Sequence, residues 1–144
     1  MQWIRFQSKA LFDPEVLAPE LAHLDVSEEG AMIEHGGRFV AALLQMELPK
    51  KGFAVNTVGK EDWGWYVNLK KSHGYSSSIG CQYCFDENGD YGLQCFVQPD
   101  KPFIWRWFHR INIASHTAAL KQAIEDILRE SGKVDGIYWS DEPG

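Results

Sequence analysis

Few side chains in this sequence are equipped for chemistry. They are three cysteines at 81, 84 and 95, the adjacent acids Glu61-Asp62, and His109 between Arg106 and Arg110 behind a pair of tryptophans. General acid/base catalysis needs two titratable groups within hydrogen-bond reach of one substrate, and no spacing here forces that arrangement. The remaining histidines, His23, His35, His73 and His116, are scattered. His73 sits in a turn and His116 directly follows a helix cap. Adjacent acids at the mouth of a strand more often end a hairpin than share a proton. The chain contains no H-x-x-x-H, no phosphate-cradling glycine loop and no nucleophile elbow. Neither a catalytic residue nor a cofactor is assigned.

Cys81-x-x-Cys84 has the spacing of a zinc or redox motif, but such motifs place the pair on a tight turn or at a helix start. Here both residues fall within one strand and point to opposite faces, so no metal site is expected. Cys81 and Cys95 instead face one another across two strands, and in a reducing compartment they are expected as thiols.

The elements that position these residues are read from apolar periodicity. From Trp63 onward, Trp63, Trp65, Val67 and Leu69 alternate with Gly64, Tyr66, Asn68 and Lys70, the period of a strand with one buried face. Two turns then set registers. A three-residue loop with Gly74 left-handed places Lys71 opposite Tyr75, Val67 opposite Ile79, Trp65 opposite Cys81 and Trp63 opposite Tyr83. The same geometry at Gly89 places Phe85 opposite Tyr91, Tyr83 opposite Leu93, Cys81 opposite Cys95 and Ile79 opposite Val97. Both registers pair apolar with apolar, whereas a two-residue Asn88-Gly89 turn would set Phe85 against Gly92 and Tyr83 against Gln94.

Around this meander, Gln2 to Phe6 reads as a short strand, and Asp13-Pro14-Glu15 as the start of a helical turn that Pro19 limits. Ser27 is the expected N-cap of an amphipathic helix with acids at 28 and 29 and apolar residues at 32, 33, 39, 40, 43, 44 and 48, ending before Pro49. Its Gly36-Gly37 pair costs about 1 kcal/mol per glycine relative to alanine, which points to close packing of the helix on the sheet or to a ligand approaching the backbone. Phe53 to Val58 reads as a strand joined to the meander by the loop Gly59 to Asp62. Phe103 to Ile111 reads as a fifth strand or an extended connection, with Phe103, Trp105, Trp107 and His109 on one face. Ser115 is the expected cap of a second helix with Leu120, Ala123, Ile124, Ile127 and Leu128 on its buried stripe, stopped by Gly132. Val134 to Trp139 is a last strand. The sum is a single α+β domain, residues 1–144, with an antiparallel meander sheet of about five strands and two main helices packed on one face.

The chain has 144 residues, 44% of them hydrophobic and 13% aromatic, enough for one full core with rings to spare for a surface. Its formal charge of -6 disfavours a nucleic-acid partner, because phosphate binding rests on Lys and Arg, and favours a basic protein. No run approaches the roughly 20 apolar residues of a membrane span, and Met1 to Arg5 lacks the layout of a secretion signal, so a cytoplasmic location is expected.

The sheet face turned away from the helices carries Asn56, Tyr66, Asn68, Gln82, Cys84, Gln94, Phe96 and Gln98, a mixture of amides and aromatics suited to recognition. The meander sets Glu61 and Asp62 at the same end as the turn bearing Asp86, Glu87 and Asp90, and Lys70 and Lys71 at the opposite end. The sheet thus has an acidic and a basic pole. Gly52-Phe53 followed by Glu61-Asp62-Trp63-Gly64-Trp65, with a preceding helix and a later Trp-rich strand, resembles small bacterial immunity proteins of contact-dependent and other polymorphic toxin systems. That resemblance implies a protein that binds and blocks a toxin domain. The expected contact residues are Glu61, Asp62, Tyr66, Asn68 and Gln82 with Asp86, Glu87, Asp90, Gln94 and Phe96. The alternative is a small-molecule-binding domain or enzyme with a pocket near Trp63, Trp65, Trp105 and His109.

Overall fold

The computed structural model describes residues 2–7, 29–71, 76–85, 91–99, 103–106, 109–112, 114–132 and 134–142; residues 29–35, 85, 91, 99, 103–106 and 109–112 are described by their backbone alone. The elements are β1 (Trp3–Gln7), α1 (Glu29–Glu47) with a 3-10 turn (Leu48–Lys51), β2 (Val55–Glu61), β3 (Gly64–Leu69), β4 (Ser77–Phe85) and β5 (Tyr91–Pro99). They continue with β6 (Phe103–Arg106), β7 (His109–Asn112), α2 (Ala114–Glu130) and β8 (Asp135–Ser140). Six strands form one sheet in the order β2-β3-β4-β5-β1-β8, with every neighbouring pair antiparallel. Both helices pack on one face of it, giving an α+β fold. Among the described residues no helix is long and apolar enough to cross a membrane.

The hairpin registers follow from the apolar pairing. Trp65 faces Cys81 and Val67 faces Ile79. Across β4 and β5, Ile79 faces Val97, Cys81 faces Cys95, Tyr83 faces Leu93 and Phe85 faces Tyr91. Val67, Ile79, Cys81, Leu93 and Cys95 are buried in the core, and Trp65 and Tyr83 pack against its margin. The loops 72–75 and 86–90 lie outside the described residues.

Helix α1 lays Phe39, Val40, Leu43 and Leu44 on the sheet, each such side chain contributing about 1.5–3 kcal/mol when fully buried. Gly37 is what lets it come so close: a Cβ there would stand 2.5 Å from the Cys81 carbonyl oxygen. Gly37 therefore marks close packing of helix on strand. Helix α2 buries Leu120, Ala123, Ile124, Ile127 and Leu128. Its final carbonyls are met by the amides of Ser131 and Gly132 and by the Ser131 hydroxyl, which donates to Leu128 O at 2.6 Å. Trp139 of β8 donates from Nε1 to Glu125 Oε1 at 3.0 Å, tying the last strand to α2.

Several expectations need correction. Strand β2 runs through to Glu61, which pairs with Gly64, so the connection to β3 is the two residues Asp62 and Trp63 rather than a loop from Gly59. Gly64 follows with φ +155 and with no room for a Cβ, which would lie 2.6 Å from the Cys81 carbonyl oxygen. That conformation breaks the alternation begun at Trp63, so Trp63 belongs to the turn and does not share a face with Trp65. A register shift between Val55 and Thr57 leaves Asn56 unpaired with β3 and brings Thr57 opposite Asn68. Phe103 to Ile111 is not a fifth strand of the meander but a separate hairpin, with Trp105 opposite Arg110 and Arg106 opposite His109. Because these residues pair across two antiparallel strands, the single-strand alternation that grouped Trp105 with His109 does not hold. Helix α2 starts at Ala114, so Ser115 lies inside its first turn. Ser27 and the turn at Asp13-Pro14-Glu15 fall outside the described residues.

Candidate functional site

The site is built on the face of the sheet turned away from α1 and α2, the helices of the described residues. Two cross-strand pairs shape it. Gly59 lies opposite Tyr66 and Gly80 lies opposite Phe96. In each pair the aromatic ring covers the place of the missing side chain: a Cβ on Gly59 would lie 2.3 Å from the Tyr66 hydroxyl oxygen, and one on Gly80 would lie 2.2 Å from Cζ of Phe96. The rings are folded down across glycine backbone rather than standing off the sheet, so the face gains aromatic surface held at a defined height. Trp63, projecting from the β2–β3 turn, leans on Phe96 with ring centroids 5.5 Å apart at 46° and remains 45% exposed.

Between these rings runs a groove of about 310 Å³ lined by Glu61, Trp63, Tyr66, Asn68, Ser78, Gly80, Phe96 and Gln98. Its polar floor is ordered by a ladder across three strands. The Ser78 hydroxyl donates to Asn68 Oδ1 at 2.7 Å, and Asn68 Nδ2 donates to Thr57 Oγ1 at 3.2 Å. The ladder fixes the Asn68 amide, leaving the exposed Glu61 carboxylate at the mouth beside the rings. A carboxylate beside aromatic faces receives a guanidinium or ammonium group by charge and by cation–π attraction together.

The sequence-derived contact residues divide between different environments. Glu61 and Asp62 are exposed, and Tyr66, Asn68, Gln82 and Phe96 are half-buried on the open face. Glu61, Tyr66, Asn68 and Phe96 meet in the groove. Gln94 is fully buried between Gln82 of β4 and Arg5 of β1, so it supports the face from within rather than presenting a surface. Asp86, Glu87 and Asp90 lie outside the described residues.

The alternative pocket does not gather its residues. Trp63 belongs to the open face, whereas Trp65 lies on the helix side, where a Cβ on Gly37 would come within 3.3 Å of its ring and the Arg38 guanidinium sits 5.3 Å from its centroid. The side chains of Trp105 and His109 lie outside the described residues.

Sequence reasoning missed Ser78, Gly59 and Gly80 as parts of the groove. The signal for Gly80 was present, because a register with Cys81 opposite Cys95 necessarily puts Gly80 opposite Phe96. For Gly59 the signal was hidden by the misplaced turn.

All three cysteines are buried and none is in a disulfide. The Cys95 thiol donates to Cys81 Sγ at 3.8 Å, and this bond together with complete burial pushes the Cys95 thiol well above its ordinary pKa. Cys84 is on the opposite side of the strand from Cys81, beside Gly92. Among the described residues no group of three or more His, Cys, Asp or Glu stands together.

Comparison with protein-family models, with curated proteins and with solved structures finds no match to this chain.

Proposed function

We propose that this chain is a binding protein whose open sheet face receives a basic segment of a protein partner, in the manner of an immunity protein neutralising a toxin domain. The observation that carries the reading is the half-exposed Trp63, braced on Phe96 at the edge of a groove whose mouth holds the Glu61 carboxylate. Aromatic anchors set in partly desolvated clefts dominate the energetics of protein interfaces, and a lysine or arginine reaching between the rings would meet Glu61. The net charge of -6 and the acids of the β2–β3 and β4–β5 turns favour encounter with a basic surface.

The reading is tested by adding the polypeptide encoded beside this chain's own coding region to isotope-labelled protein and mapping amide shifts. Binding through the groove moves residues of β3, β4 and β5 on the open face and leaves α1 and α2 unmoved. A footprint confined to the helices, or no binding, refutes it. Steering by the turn is examined separately. Replacing Asp86, Glu87 and Asp90 by their amides is expected to slow association at low salt and to leave dissociation unchanged, since such charges are screened beyond about 8 Å at physiological ionic strength. An association rate unaltered across the salt series removes that role.

A further inference from the structure

We propose that a second pocket on the open face, built around Arg5, is a binding site for a carboxylate group. Arg5 occupies β1, an interior strand next to the edge, opposite Gln94 of β5 on one side and Tyr138 of β8 on the other. Arg5 is only 9% exposed, yet its hydrogen-bond partners among the described residues are neutral. Nη1 donates to the Tyr138 hydroxyl at 3.2 Å and Nη2 donates to the Glu142 main-chain carbonyl at 2.7 Å; the Tyr138 ring lies 5.8 Å from the guanidinium carbon, and Nε, buried, has no acceptor. A guanidinium cannot shed its proton to escape burial as a lysine can, and hydroxyl and carbonyl dipoles do not neutralise a full charge. A buried cation without a counter-ion is costly to keep, and the obvious complement is an anion supplied from outside.

There is room for one. A cavity of about 230 Å³ opens beside Arg5, with Gln7, Cys84, Gly92, Gly136 and Tyr138 among its walls. It exists because two wall residues lack side chains. Gly136, at φ +60, sits where the pairing of β1 with β8 slips between Arg5 and Gln7, and Gly92 backs onto the Cys84 thiol. Among the described residues lining the space, Arg5 carries the one cationic side chain and the others are neutral or apolar. One fixed positive charge with a tyrosine hydroxyl matches a singly charged, planar acceptor, which arginine engages through parallel N–H bonds. A phosphate, carrying close to two charges, would be left half-compensated. The pocket shares no lining residue with the Trp63 groove, so it stands independently of the partner-binding reading.

The test follows the Arg5 Nε–Hε and Tyr138 resonances of the full chain during titration with sodium acetate, with sodium chloride at matched ionic strength, with inorganic phosphate, and with one short peptide as free acid and as C-terminal amide. The expected result is a saturable shift with acetate and none with chloride or phosphate. If the free-acid peptide binds more tightly than acetate and its amide does not bind, the carboxylate is that of a polypeptide terminus; if acetate binds and neither peptide does, it is that of a small acid. Arg5→Gln is expected to abolish the response. Because that variant perturbs an interior strand, Cys84→Met provides a second arm: it fills the cavity while retaining Arg5, and it should weaken acetate binding by about tenfold or more with the unfolding transition retained. Absence of saturation with acetate, tighter binding of phosphate than of acetate, or undiminished binding in folded Cys84→Met would overturn the proposal.

Discussion

The meander β2 to β5 and the flank formed by β1 and β8 belong to one sheet but are specified in different ways. In the meander each strand pairs with its neighbour in sequence through a short turn, so apolar matching across the turn determines the register. In the flank, β1 inserts between β5 and β8, pairing Ile4 with Cys95 and with Trp139. Those contacts close long stretches of chain, and nothing local announces them. The open face inherits the contrast. Its meander half is an aromatic groove above glycines, whereas its flank half holds the buried Arg5, which faces Gln94 of β5 across the boundary.

This contrast can be tested first through the core. Ile4 and Ile79 are both fully buried, one in each region. Truncating either to alanine is expected to cost about 2–5 kcal/mol in urea unfolding. The kinetic signatures should differ: Ile79→Ala slows refolding, because the local hairpins form early, and Ile4→Ala chiefly accelerates unfolding, because β1 docks late. Equal partitioning in stopped-flow chevrons would remove the distinction. A smaller effect is expected at the contact between helix and meander. Gly37→Ala drives a Cβ against the Cys81 carbonyl, and backbone cannot move aside as a side chain can. The cost should be about 1–3 kcal/mol by equilibrium denaturation, although alanine is the better helix former.

The buried thiol pair gives a pH signature. Cys95 is held protonated in the folded state by its bond to Cys81 and by burial. Once pH passes the ordinary thiol pKa of about 8.5, the unfolded chain releases a proton that the folded chain keeps, so stability falls as pH rises, by roughly 1 kcal/mol per unit. Replacing Cys95 by alanine should flatten that slope, measured by urea unfolding between neutral and alkaline pH. The smallest effect belongs to the groove floor. Gly80→Ala displaces the Phe96 ring, and with it the support of Trp63, at a stability cost of about 1 kcal/mol or less. Crystallography of the variant should show the Phe96 ring lifted from β4.

How far the sequence discloses this molecule follows from the same division. The pairings from Trp65 to Val97 and the buried stripe of α2 are legible because each rests on a periodicity within one or two neighbouring elements. The Asp62-Trp63 turn was misplaced because Trp63 continues the apolar alternation of the strand that follows, and only the backbone of Gly64 shows the break. The stretch 103–111 reads as one strand because its alternation runs unbroken through the turn. Arg5 carries no such signal: on a short strand whose neighbours the sequence does not name, an arginine is an ordinary surface residue. Its interest arises from the place of β1 between β5 and β8, which is set by partners about ninety and more residues away.

The two faces of the protein also offer the most direct measurement of function. Trp63 on the open face and Met46 on α1 are both large hydrophobic side chains left about half exposed, at 45% and 50%. Calorimetric titration of the protein encoded beside this chain into wild type, Trp63→Ala and Met46→Ala compares the surfaces directly. Recognition through the open face predicts that Trp63→Ala weakens binding by about 30-fold or more while Met46→Ala changes it by less than about twofold. Loss of affinity in Met46→Ala with Trp63→Ala unaffected would contradict it and move the interface to the helices.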